Sequence, residues 1–580
     1  MRLAYIPRMP DPIPSRGVLS RPTGWADRPS DLDWLAANIP CQAACPVKTD
    51  IPGYLEAISR GDFAEAYRIN LRDNVFPGVL GRVCSRPCEP PCRHGWSGLG
   101  EPVAICLSKR AAADFFPPPR PVLLEPWFPP TGRRVAVVGA GPAGLAAARD
   151  LRLFGHDVVV LERHRAPGGL LRLGIPPFRL PRELVEREVR QIAELGVEIR
   201  CGVEVDRAET IEELSREHDA VIVAAGAHRP RTPRIPGADL PGVEAGLSFL
   251  IGVHELGQRT VGRRVVVVGG GFTALDCARV ALRLGAKSVQ IAYRRGLENI
   301  RVTPGEKEET EREGIPFLLH VSPVAVLGQD RATAIRLART GPERSANDPA
   351  DIEVECDQVL MATGQEPDTS WLPRPLPPNV LPAGDFAEAS SNLIEAIADG
   401  RRAAAEVDAR LMGGPRIAEG AWIAEGRAQP RTRAMDRIPR HAMPKRPLKG
   451  RRLDAEVETG FDRGTAAQEA RRCYLCHYKY EIDMSRCIYC DQCLEVKPRP
   501  SCIVKVPRIE RTADGRIVPW TDRGEPTVAP NAPIHSYWIH QADCIRCNAC
   551  LEVCPTNCIS VQRVTWTRAP AGAHNGPPGV

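Results

Sequence analysis

Short, nearly unbroken apolar runs organise the centre of this chain. Residues 133–138 (RRVAVV) and 263–268 (RRVVVV) are rows of small and β-branched side chains, the pattern of a strand buried on both faces of a parallel sheet. Each run enters a glycine-rich turn and then a segment of helical spacing, LAAARDLRLFG after the first and LDCARVALRLG after the second. A second strand follows each helix: HDVVVLE, ending in Glu162, and SVQIAYRR, ending in Arg295. VIVAAGA (221–227) and VLMATGQ (359–365) read as later strand ends. The alternation predicts two Rossmann-like α/β units.

The turns carry the first chemistry. In GAGPAG, Gly139 permits the tight turn, Gly141 lets backbone approach a pyrophosphate, and Gly144 lets helix pack on strand. Glu162 stands 18 residues beyond Gly144, where a carboxylate can hold a ribose hydroxyl. The second turn, GGGFTA, keeps Gly269 and Gly271 and replaces the third glycine by Ala274, a variant the fingerprint tolerates. Its second strand ends in Arg294 and Arg295 rather than an acid. Guanidinium groups there suit a 2′-phosphate and point to NADPH over NADH, the alternative being a solvated arginine pair. Two such units suggest a flavin domain with an inserted nicotinamide domain, and LPAGD (381–385) returns the chain to the first unit.

A length of 580 residues exceeds one hydrophobic core, so three to five domains are expected. With 43% apolar and 26% charged residues the chain is not of disordered composition. The net charge of +6 is spread without a basic stripe interleaved with aromatics, which argues against a nucleic-acid partner. No apolar run reaches the roughly 18 residues of a membrane span, and the N-terminus has no apolar signal core, so a cytoplasmic protein is expected. In that setting the twenty cysteines read as metal ligands rather than disulfides. Six lie between Cys41 and Cys106, eleven between Cys473 and Cys558, and three in the centre. Pro-rich stretches before residue 131 and around 413–450 mark the joints.

Near the C-terminus, Cys487, Cys490 and Cys493 repeat at x2 spacing, as do Cys544, Cys547 and Cys550, followed by Cys554-Pro555. This is ferredoxin spacing: three thiolates take one face of a [4Fe–4S] cube, and the fourth comes from the other motif. Zinc is the competing reading. The first motif has Lys497-Pro498 in place of Cys-Pro, and Cys502 follows as a substitute. The expected sets are Cys487, Cys490, Cys493 and Cys554, then Cys544, Cys547, Cys550 and Cys502. Cys558 is left spare, a rival to Cys502. A thioredoxin-reductase reading requires a C-x2-C pair in the second unit, and Cys277 has no such neighbour. Cys277, Cys201 and Cys356 read as small buried residues.

The stretches GAGPAGLAAA, PGGLLRLGIPPFRLP (167–181), GGGFTALDCARVA, YRR, ATGQEPD, AGDF and NLIEAIADGRRAA resemble the family of the glutamate synthase small subunit, also the electron-input part of dihydropyrimidine dehydrogenase. The resemblance implies FAD in the first unit and NADPH in the second. It places Gly384 and Asp385 by the flavin phosphate and ribitol, with Gly169, Leu170 and Arg172 also lining the flavin. Phe272 departs from the Asn usual in the family. The N-terminal cysteines resemble the family's helical domain with two clusters beside the flavin, but the early C-x2-C is missing. A matching phrase, EARRCYLC, stands at 469–476. Cys473 and Cys476 are therefore expected to join Cys41 and Cys92, and Cys45, Cys84, Cys88 and Cys106 to form a further set. The alternative is three clusters with Cys106 an inert helix residue.

The expected chain is multidomain: an α-helical iron–sulfur domain (1–125), a Rossmann-like FAD domain (130–255 and 373–412) with an inserted NADPH domain (256–372), a linker (413–472), and an α+β ferredoxin-like domain with two clusters (473–580). It would be an NADPH-dependent flavoprotein oxidoreductase exchanging electrons with a ferredoxin or partner redox enzyme. A relay subunit of a larger complex and a glutamate synthase small subunit are the alternatives. The chemistry requires no acid–base side chain, and His156, His164 and His228 read as surface or core histidines.

Overall fold

The computed structural model describes residues 32–96, 100–116, 124–340, 351–387, 392–506 and 536–571. The expected boundaries at residues 1 and 580, and part of the first Pro-rich joint, lie outside the described residues. Ahead of the α/β units come short helices, among them Ile51–Ser59, Phe63–Asn74, Pro77–Val83 and Ile105–Phe115. Their starts are chemically marked. Asp50 accepts from the Gly53 amide (3.0 Å), Asp62 accepts from the Glu65 amide (3.0 Å), and Pro77 takes the first turn of its helix.

Two five-stranded parallel sheets follow. The first runs Val380–Pro382, Ala220–Val223, Arg134–Val138, Asp157–Glu162, Glu198–Cys201. The second runs Val243–Ala245, Gln358–Met361, Arg264–Val268, Ser288–Tyr293, Phe317–Leu319. The chain crosses between them through Arg229–Pro230 and returns through Gln365–Glu366, two segments paired antiparallel. The second sheet takes its edge strand from residues 243–245, upstream of the expected boundary at 256, because that strand pairs with Val359–Met361. The helix Leu393–Met412 lies across Pro142–Leu153 at Gly400, where a Cβ would stand 2.0 Å from the Ala143 carbonyl oxygen.

Residues 413–472 are not the expected linker. Ile417–Glu425 pairs antiparallel with Ile559–Pro570 along its length, and Tyr478–Ile482 takes the other side of that strand. Helix Arg463–Arg471 packs on Ile51–Ser59. The short strand is stabilised by a partner more than a hundred residues downstream, which no local pattern announces. A second pair, Ile503–Val506 with Ser536–Ile539, completes the C-terminal region.

One continuous core runs from Trp34 through the first sheet to Trp566. Inside it Asp150, fully buried, pairs with Arg149 (2.6 Å), Arg401 (2.8 Å) and Arg568 (3.4 Å). Arg149 also donates to the Leu71 carbonyl at 2.7 Å, and Arg401 to that of Asp73. One carboxylate thus ties the helical segment, the first α/β unit, the long helix and the C-terminal strand. Among the described residues no helix is long and apolar enough to cross a membrane.

Candidate functional site

Both glycine turns open into one cavity of about 1410 Å³ between the sheets. Gly139 holds φ +100°, and a Cβ there would meet the Ala224 carbonyl oxygen at 2.5 Å, so only glycine fits. Gly141 and Gly271 precede the helices Pro142–Leu153 and Phe272–Arg283, and a Cβ on either would meet no protein atom within 4 Å. That is open space at two helix N-termini, the arrangement for an anionic phosphate. Gly144 and Ala274 are buried behind the turns and do not line the cavity; a Cβ on Gly144 would stand 2.0 Å from the Gly139 carbonyl oxygen.

Gly169, Leu170, Gly269, Arg294, Arg295 and Asp385 line the cavity. Gly384 sits just behind, at φ +64°. Glu162 lines it as well, each oxygen accepting one amide hydrogen, from Ala140 and His164 at 2.8 Å, which leaves lone pairs for a further donor. Arg172 departs from expectation. It does not line the cavity, and its guanidinium turns outward to Glu186 (3.0 Å) and Glu255 (3.7 Å). His156 is a core residue bonded to Asp408 at 3.0 Å. His164 and His228, in contrast, line the cavity. Burial, aided by the neighbouring Arg163 charge, lowers the His228 imidazole to about 4, so it is neutral at neutral pH. Its Nδ1 is buried without a hydrogen-bond partner among the described residues. Local sequence carried no signal for it. Arg179 also faces the cavity, donating to both Asp276 oxygens (2.9 and 2.7 Å) and stacking 5.3 Å over the Phe272 ring, so it joins the two units.

The cysteines gather into four sets. Cys41, Cys92, Cys473 and Cys476 surround one small cavity, although 380 residues separate the middle two. Burial and the three neighbouring thiols push the Cys41 thiol up. Buried Lys109 faces Cys106, Cys84, Cys45 and Cys88. A third cavity is lined by Cys502, Cys544, Cys547 and Cys550. The fourth holds five thiols, Cys487, Cys490, Cys493, Cys554 and Cys558. Cys558 is therefore no rival to Cys502; its sulfur lies 3.4 Å from that of Cys554. Cys277 and Cys356 are buried, whereas Cys201 is exposed, because its strand is the sheet edge. Among the described residues no three His, Cys, Asp or Glu side chains close to the geometry of a single metal ion.

Residues 133–381 match the family model for pyridine nucleotide-disulphide oxidoreductases. Residues 35–118 match that for dihydropyrimidine dehydrogenase domain II, 4Fe-4S cluster, and residues 537–560 that for the 4Fe-4S binding domain. The glutamate synthase NADPH small chain of Azospirillum brasilense is 34% identical over 64% of this chain and 86% of its own length. The chain belongs to the glutamate synthase small-chain family of FAD- and NADP-linked oxidoreductases. Within the family, the beta subunit of the NADP(+)-dependent formate dehydrogenase of Moorella thermoacetica is 33% identical over 76% of this chain and 70% of its own length. The NADPH-Fe(3+) oxidoreductase subunit beta of Geobacter sulfurreducens is 38% identical over 58% of this chain, which spans 52% of that relative. This family member carries Cys473, Cys476, Cys487, Cys490, Cys493 and Cys502 outside the three matched segments, so their grouping rests on the tertiary structure.

Proposed function

We propose that this chain passes electrons between NADPH and an external one-electron redox partner, using one FAD and four [4Fe–4S] clusters. When bound, FAD supplies the step between the electron pair of NADPH and the single electrons that iron–sulfur clusters carry. The chain's own residues bind, orient and insulate. Gly139 and Gly141 with the helix Pro142–Leu153 would take the FAD pyrophosphate, Glu162 would hold the turn in shape, and Asp385 would face the ribitol. Gly269 and Gly271 would cradle the NADPH pyrophosphate, with Arg294 and Arg295 at the 2′-phosphate. Arg172, tied to two glutamates, is given no flavin role.

The observation that carries this reading is the continuity from cavity to cysteines. Val83 and Ser85, on either side of Cys84, both line the dinucleotide cavity, so the set Cys45, Cys84, Cys88 and Cys106 begins at the flavin side. Cys41 and Cys45 share one helical turn, and Cys88 and Cys92 one loop, which ties this set to Cys41, Cys92, Cys473 and Cys476. Cys493 is among the thiols that, after burial, raise Cys550, so the two C-terminal sets adjoin. Cys490 is exposed, next to Ile488 (61% exposed) and Tyr489 (44%), which makes the last set the port. The thiol sets fit cubes rather than zinc, whose thiolates would crowd about 2.3 Å from one atom.

The test is anaerobic purification followed by flavin and iron analysis and dye reduction driven by NADPH or NADH. Expected are one FAD, about sixteen iron atoms per chain and a preference for NADPH. Lack of FAD, or iron near four per chain, overturns the corresponding part. The exposed apolar pair beside Cys490 also favours a second reading, a pyridine-nucleotide subunit seated on a larger enzyme. Co-purification of a stoichiometric partner would select it.

A further inference from the structure

The junction between two cysteine sets holds a pair of buried cations with no carboxylate partner among the described residues. Arg93, directly after Cys92, is 4% exposed. Its Nη1 donates to Cys476 Sγ at 3.4 Å, and its Nη2 to the carbonyl oxygens of Cys544 (3.0 Å) and Ala542. Arg546, 2% exposed, donates from Nε to the Tyr478 carbonyl at 2.9 Å. Its other nitrogens reach the carbonyls of Gln541 (2.7 Å), Cys476 (3.3 Å) and Cys544. Every hydrogen-bond partner of the two guanidiniums among the described residues is a sulfur or a backbone carbonyl, and none is a carboxylate. Neighbouring Arg431 provides the contrast. It donates to the Cys473 and Ile545 carbonyls, both at 2.9 Å, but is neutralised by Asp436.

A buried guanidinium without a counter-charge is strongly disfavoured, and two side by side more so. Carbonyl dipoles solvate such a group but do not neutralise it. What lies on either side is a set of four thiols: Cys41, Cys92, Cys473 and Cys476 on one, Cys502, Cys544, Cys547 and Cys550 on the other. An iron–sulfur cube held by four thiolates is a net anion and becomes more negative on reduction. We infer that Arg93 and Arg546 are the shared counter-ions of these two clusters, raising the reduction potential of both and holding the two cluster-bearing segments together. The inference rests on the proposed cluster reading of these cysteines. Arg93, which donates to a ligand sulfur, acts by hydrogen bond and charge on the Cys476 cluster. Arg546 acts by charge alone on both. They are positioning residues, since neither lies on the dinucleotide cavity.

The test uses the full-length, anaerobically purified holoprotein. Iron is measured first, then each cluster's reduction potential by titration followed with electron paramagnetic resonance. Arg93→Gln should keep wild-type iron and shift potentials downward, the Cys476 cluster most; Arg546→Gln should lower both clusters similarly. Exposed Arg200→Gln should change nothing. Unchanged potentials in the two variants at full iron overturn the inference. If the Gln variants lose iron, Arg93→Lys and Arg546→Lys decide: iron retained with lysine supports a charge requirement, and iron lost with lysine as with glutamine overturns it. Wild-type protein lacking these two clusters would instead refute the underlying cluster reading.

Discussion

Asp150→Asn isolates the electrostatic knot that joins the parts of this chain. Asparagine keeps size and shape but removes the carboxylate that pairs with Arg149, Arg401 and Arg568, all three within 3.4 Å of Asp150. Burial alone would raise the Asp150 carboxyl, but Arg401 and then Arg149 outweigh it and hold it well below the usual carboxylate range. Breaking a buried ion cluster from one side costs about 3–5 kcal/mol, because the partners stay buried and uncompensated. For a cooperative unit of roughly 200 residues that lowers the melting temperature by on the order of 10 °C. The assays are thermal unfolding and limited proteolysis between the helical segment and the first α/β unit. Adding Arg401→Met to Asp150→Asn should restore part of the loss, with a coupling of about 0.5–3 kcal/mol. The pH sign follows from the lowered carboxyl. Its stabilisation is present above the ordinary aspartate range, is lost as pH falls through and below it, and is missing from the variant. A variant within about 1 kcal/mol of wild type, with additive double-mutant effects, would refute the reasoning.

Three further outcomes are expected. Replacing Arg294 or Arg295 singly by alanine should cut the NADPH-to-NADH ratio of kcat/KM by roughly 10- to 100-fold, at about 1.5–3 kcal/mol per charged hydrogen bond; an unchanged ratio in both variants removes them from the 2′-phosphate. Glu188 is raised to about 7 by burial, against the Gly78 and Val79 amides that donate to it at 2.6 and 3.1 Å. The folded carboxyl keeps a proton the unfolded one loses, so stability should fall by about 3 kcal/mol as pH rises from about 4.5 to about 7, and Glu188→Gln should flatten that slope in denaturant titrations. Because Cys558 touches Cys554, Cys554→Ala and Cys558→Ala should each retain iron, while the double variant loses about four atoms per chain; loss in the Cys554 variant alone would show that Cys558 cannot take the vacated corner.

Much of this chain is legible one segment at a time. A strand, a glycine turn and a helix lie within thirty residues, and the turn dihedrals and helix N-terminus are local properties, so both dinucleotide units stand out in the sequence. The x2 cysteine spacing works likewise, since one loop must present three sulfurs to one cube face. What only the tertiary structure decided involves partners far apart along the chain. Local patterning could not reveal that 417–425 is a strand, that Cys502 rather than Cys558 joins Cys544, Cys547 and Cys550, that Arg172 faces glutamates, or that His228 lines the cavity. Each depends on which surfaces meet once the core from Trp34 to Trp566 has closed. The two arginines between the cysteine sets belong to the same class. In the sequence they are ordinary charges, and only burial without a carboxylate makes them a statement about what must sit beside them.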